Sequence, residues 1–123
     1  MGDRERYERG WELLEKLDSN PEERITRDVG SVSPDLARYI VEYAYGDVWS
    51  RPGLDLKTRE LATVSGLIAL GHCAPQLKVH IGGMLRSGWT RDEVVELILH
   101  MSLYAGFPAA LNALSIAAEV FEE

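Results

Sequence analysis

The sequence predicts an all-α fold of six or seven helices. Apolar residues recur at spacings of three and four, and the stretches that carry them are bracketed by helix start and stop signals. No run alternates with the two-residue period of a strand. At 123 residues, 46% of them apolar, the chain is long enough for a single core.

The first helix, over residues 4–17, is a charged segment with Tyr7, Trp11, Leu14 and Leu17 as one apolar stripe. Asn20-Pro21 breaks it, and a short helix follows over residues 21–29, ending at Gly30. Ser33-Pro34-Asp35 starts the third: Ser33 caps, Pro34 suits the first helical position, and Asp35 favours the positive end of the dipole. That helix carries Leu36, Tyr39, Ile40, Tyr43 and Ala44 towards Gly46, and Arg51-Pro52-Gly53 is a turn. Asp55 caps the fourth helix, residues 56–70, which stops at Gly71. Pro75 opens the fifth, which runs to Ser87-Gly88. Thr90 and Glu93 form a capping box for the sixth, residues 92–105. Gly106-Phe107-Pro108 separates it from the seventh, which runs to about Phe121.

Residues 1–123 are expected to form one domain, with a core over 33–121 and an N-terminal helical segment over 1–30. The stretches 61–70 and 94–104 are apolar on most faces and must be covered on all sides. Partner subunits can supply that cover in so short a chain, so a homo-oligomer is expected.

Several classes of function are disfavoured. A net charge of −7 argues against nucleic acid, whose phosphates need clustered Lys and Arg. No apolar run reaches a membrane span, because Thr63, Ser65 and Gly66 interrupt the longest, so no membrane partner is expected. The charged stretch 1–9 lacks the apolar block of a signal peptide, which points to the cytoplasm. Cys73 is the single cysteine, so neither an intrachain disulfide nor a cysteine metal cluster can form. His72, His80 and His100 are spaced by eight and twenty and share no helical face, so no metal site is expected. Phosphate-cradling glycine loops and the G-x-S-x-G and H-E-x-x-H patterns are absent.

Five positions have chemistry to offer, each with a blander alternative. Glu60 points with Val64 and Leu67, so it either faces the core as a costly carboxylate in need of a partner or stays solvated in the first turn. His80 lies at the edge of the stripe Leu77, Ile81, Met84 and Leu85, as a proton carrier or as a structural side chain. Folding the two helices back about residue 72 places His80 nearest Ser65, an offset of roughly 7 to 8 Å from Glu60. That is long for a direct bond and fits a water or ligand bridge. Cys73 precedes a helix N-terminus that can lower its thiol pKa, or is an unreactive small side chain. Arg51, in the turn Trp49-Ser50-Arg51-Pro52-Gly53, either grips a substrate carboxylate with its planar fork or is a surface turn residue. Tyr104 either donates a hydrogen bond into a pocket or plugs one.

Three stretches together resemble the carboxymuconolactone decarboxylase family: residues 43–56 (YAYGDVWSRPGLDL), 57–88 (KTRELATVSGLIALGHCAPQLKVHIGGMLRSG) and 90–121, with YAGFPAALNAL inside the last. The resemblance implies an all-helical, alkylhydroperoxidase D-like fold assembled as trimers or hexamers. It also implies one of two chemistries. One is cofactor-free decarboxylation of a small carboxylated or lactone metabolite. There His80 would move the proton, Glu60 would orient it, Arg51 would hold the carboxylate, and Trp49 and Tyr104 would line the pocket. The other is an alkylhydroperoxidase or peroxiredoxin activity with Cys73 as nucleophile. Against that motif, Cys73 and His80 keep the spacing of first Cys to His, Gln76 stands at the second Cys, and Glu60 lies one residue too far from Cys73. Against the decarboxylase pattern, Glu60 replaces a small polar residue. A non-catalytic, oligomeric ligand-binding protein is the third reading.

Overall fold

The computed structural model describes residues 2–123; Met1, the first residue of the charged N-terminal stretch and of the expected domain, lies outside them. All secondary structure among the described residues is helical. The helices are α1 (Asp3–Leu17), α2 (Glu22–Val29), α3 (Pro34–Tyr39, running straight on through Ile40–Trp49), α4 (Leu56–Leu70), α5 (Ala74–Arg86), α6 (Arg91–Ala105) and α7 (Phe107–Phe121). They fall into two compact units, Met1–Leu54 and Asp55–Glu123.

In the first unit, α1 buries Leu14 and Leu17, α2 buries Ile25, and α3 buries Val41 and Tyr45. Two glycines let α1 and α3 approach closely. A Cβ on Gly10 would lie 1.9 Å from the Val41 carbonyl oxygen, and one on Gly46 would lie 2.4 Å from that of Arg6. The sequence predicts ordinary α-helix here, reaching Gly46. Instead α2 and the Ile40–Trp49 half of α3 are π-helical, and α3 runs through Gly46. Widened turns disturb the usual carbonyl ladder. The Gly46 carbonyl accepts from Arg9 Nε at 2.7 Å and from Ser50 Oγ at 2.5 Å, which satisfies it by side chains. Beside it Arg6 holds Asp47 with two bonds, of 3.0 and 2.7 Å. The Arg6 guanidinium keeps the Asp47 carboxyl below the usual carboxylate range.

In the second unit, four helices close around one core. It is built from Val64 and Ile68 of α4, Leu77, Ile81 and Met84 of α5, Val94 and Ile98 of α6, and Ala110, Ala113, Ala117 and Val120 of α7. Burying each of the large aliphatic side chains is worth roughly 1.5–3 kcal/mol. The alanines of α7 let the other helices pack close to its backbone. The helix ends follow the sequence signals. Asp55 Oδ1 accepts from the Thr58 amide at 2.8 Å. Thr90 and Glu93 exchange both bonds of the capping box. Gly71 and Gly106 end α4 and α6 with φ of 81° and 89°, a region that side-chain-bearing residues avoid. The α5–α6 joint is fixed from inside the unit, where Trp89 Nε1 donates to the Lys57 carbonyl at 2.9 Å and Lys57 Nζ lies over the indole. This frame holds α4 and α5 in one register, which decides what faces what between them.

Candidate active site

One charged side chain sits inside the apolar core of the second unit. Glu60, one turn into α4, is 1% exposed. Helical spacing puts it on the same face as the buried Val64, so the carboxylate enters the core with its neighbour. Removing a carboxylate from water costs several kcal/mol unless a partner offsets it. The partner comes from the facing helix. His80 Nδ1 lies 2.8 Å from Glu60 Oε1, and the His80 side chain is 15% exposed. An ionised carboxylate can only accept, so His80 donates through Nδ1. That bond fixes the tautomer and orientation of the ring and makes Nε2 the lone-pair nitrogen of the neutral imidazole.

The fold-back estimate of a 7 to 8 Å offset is therefore corrected to direct contact, and the reason is local. The Glu60 carboxylate lies across Gly83, where an added Cβ would fall 2.1 Å from Oε2. Gly83 is three residues from His80 on the same face of α5, a rise of about 4.5 Å. With no side chain at Gly83, the carboxylate rests on the helix and reaches back to the ring.

Cys73 occupies a different place. It is the residue before α5, half-buried, with Sγ 3.7 Å from His72 Nδ1. It borders a cavity of about 220 Å³ walled by Leu67, Leu77, Asn112 and Ile116. His80 lies seven residues further along, a rise of about 10 Å, and neither it nor Glu60 borders this cavity. The structure thus joins Glu60 to His80 and sets Cys73 apart. Gln76, at the position of the missing second cysteine, is exposed on α5.

The model of the carboxymuconolactone decarboxylase family matches residues 34–119. This chain belongs to the carboxymuconolactone decarboxylase family.

Its relatives agree. A 4-carboxymuconolactone decarboxylase of Acinetobacter baylyi is 41% identical over 124 residues, covering 100% of this chain and 92% of that protein. A nitrosuccinic acid decarboxylase of Metarhizium robertsii is 40% identical over 77 residues, covering 63% of this chain and 53% of that protein. An uncharacterized 15.0 kDa protein of Paracoccus denitrificans is 36% identical over 98 residues, covering 79% and 73%. Two of these are decarboxylases by name, and this family member is a decarboxylase-like enzyme.

The other residues singled out in the sequence are placed as follows. Tyr104, on α6, is exposed, with its ring tilted against His100 at a centroid distance of 5.6 Å. Helices α6 and α7 present an apolar groove of about 420 Å³, bordered by Val95, Leu99, Phe107, Leu111 and Leu114, and Tyr104 is not part of its lining. Trp49 and Arg51 belong to the first unit. Trp49 stacks on Tyr45 at 5.4 Å, and the Arg51 amide donates to the Val48 carbonyl at 3.1 Å. No three His, Cys, Asp or Glu side chains among the described residues gather in a group suited to a metal ion. No helix among them is long and apolar enough to cross a membrane.

Gly83 is the site residue that sequence reasoning missed. The signal was there, because Gly82-Gly83 sits mid-helix, where each glycine costs about 1 kcal/mol relative to Ala.

Proposed function

We propose that this enzyme decarboxylates 4-carboxymuconolactone or a close carboxylated lactone without a cofactor, with His80 as the proton carrier. The observation that carries the reading is the 2.8 Å bond from His80 Nδ1 to a carboxylate buried to 1% exposure. The name of the full-length Acinetobacter baylyi relative supports the substrate class.

The chemistry asks for little else. The bond between carbon and the substrate carboxylate breaks, carbon dioxide leaves, and the electron pair stays on carbon, spread into the conjugated lactone. A carbon of that delocalised anion then takes the Nε2 proton of the protonated His80 ring, which is left as the neutral Nδ1–H imidazole and regains its proton from solvent. Glu60 keeps the imidazole aimed through its 2.8 Å bond to Nδ1, as a positioned acid–base group requires. The planar fork of Arg51 suits a substrate carboxylate.

A homo-oligomer, trimer or hexamer, is part of this reading. Leu99, Leu103, Phe107 and Leu111 are 63–73% exposed, a row of apolar side chains that water does not favour. The test is turnover of 4-carboxymuconolactone by wild type and by His80→Asn, whose amide can still donate to Glu60 but has no basic nitrogen. Equal rates would remove His80 from the mechanism. Stabilisation by the lactone without turnover in the wild type would reduce the protein to a binder.

A further inference from the structure

We infer that Gly83 is a positioning residue for the Glu60–His80 pair: its bare Cα is the seat on which the Glu60 carboxylate rests. The inference builds on the reading of His80 as proton carrier. A Cβ added at Gly83 would lie 2.1 Å from Glu60 Oε2, 2.6 Å from Cδ and 3.0 Å from Oε1. All three distances are short of the 3.4 Å at which ordinary contact begins. A methyl group there displaces the whole carboxylate, including Oε1, the atom that accepts from His80 Nδ1 at 2.8 Å.

The surroundings decide which side yields. Val64, one turn along α4, and Met84, next along α5, are both fully buried, so the helix backbones here are held by the core. The atoms in the way are the far end of one side chain rather than backbone, so the Glu60 rotamer moves before the helices do. That rotation carries Oε1 off the imidazole. The adjacent glycine is different, since a Cβ on Gly82 meets Arg86 Nη2 at 3.3 Å and nothing of the pair. The two glycines look alike in sequence, and only the second bears on the site.

Long-range ¹H–¹⁵N NMR of the histidine rings tests this on the intact protein without substrate. His80 is assigned by the signal missing in His80→Asn. In the wild type the neutral ring carries its proton on Nδ1. Gly83→Ala is expected to shift it to Nε2, the tautomer that imidazole prefers without a partner, whereas Gly82→Ala leaves it on Nδ1. In turnover of 4-carboxymuconolactone, Gly83→Ala is expected to lower kcat about 100-fold, with KM changed less than about threefold, as misplacement by an ångström does. An unchanged Nδ1–H signal in Gly83→Ala overturns the inference, whatever the rate. Should Gly83→Ala fail to fold, folding of Glu60→Ala/Gly83→Ala locates the clash at Glu60 and supports it, and failure of both overturns it. A switched tautomer in a protein whose wild type ignores the lactone overturns the substrate assignment and leaves the role of Gly83 standing.

Discussion

His80→Ala is expected to destabilise the protein by about 2–3 kcal/mol, far more than a half-exposed surface histidine would. The variant removes the partner of a carboxylate that is 1% exposed. Breaking one side of a buried pair typically costs about 3–5 kcal/mol, because the remaining charge stays uncompensated. Here the His80 side chain is itself 15% exposed, so its truncation opens a path for water to Glu60 Oε1. That moves the expected cost to the lower figure. For a chain of this size 1 kcal/mol is worth roughly 4 °C, so the melting temperature should fall by about 8–12 °C. The converse variant, Glu60→Gln, keeps an acceptor at the same place and should cost only about 1 kcal/mol. Removing both groups, in His80→Ala/Glu60→Leu, should be less damaging than His80→Ala alone, since no charge is then left in the core. Thermal unfolding followed by circular dichroism near pH 7 measures all three. A loss under about 4 °C for His80→Ala, or strictly additive effects in the double variant, would refute the buried-pair argument.

Three further outcomes follow from other parts of the fold. Gly10→Ala should destabilise by at least about 2 kcal/mol in urea titration, because its Cβ would press on the backbone of Val41 at 1.9 Å, a clash larger than the roughly 1 kcal/mol Ala adds to a helix. Asp55 is held below its ordinary value of 3.8 by the Thr58 side chain and amide, and Glu93 below 4.5 by the Thr90 amide and side chain. Depressed carboxyl values stabilise the fold above those pH values, and the stability is lost as pH falls through the folded-state values. Melting scans from about pH 5 to about pH 3 should therefore fall steeply in the wild type and less steeply in Asp55→Asn/Glu93→Gln. Leu103→Glu/Leu111→Glu, at two exposed apolar positions of α6 and α7, should shift the mass measured by light scattering towards the monomer; an unchanged mass would clear this face of a role in assembly.

The helices of the second unit were legible because their ends carry unambiguous chemistry. Asp55, Gly71, the Thr90–Glu93 box and Gly106 each solve a local backbone problem that sequence alone poses. The spacing of Glu60 from Val64, a property of one helix, raised the core-facing orientation but left it open against a solvated first-turn carboxylate, and burial to 1% exposure decides for the core. What escaped the sequence depends on two helices at once. The His80–Glu60 bond needs the carboxylate to lie over Gly83, and axial counting along idealised rods does not register a missing side chain. Within the π-helical Ile40–Trp49, the Gly46 carbonyl likewise accepts from Arg9, a partner distant in sequence. Cys73 invited a catalytic reading through its spacing from His80, yet a seven-residue helical separation sets it apart from the pair, beside a cavity that neither Glu60 nor His80 borders.

The most direct test of His80 as proton carrier is the turnover number of His80→Asn on 4-carboxymuconolactone beside that of the wild type. A positioned acid–base group contributes about 10²- to 10⁴-fold, so kcat should fall by at least about 100-fold while the lactone still binds. A His80→Asn enzyme that decarboxylates the lactone at the wild-type rate would contradict the account.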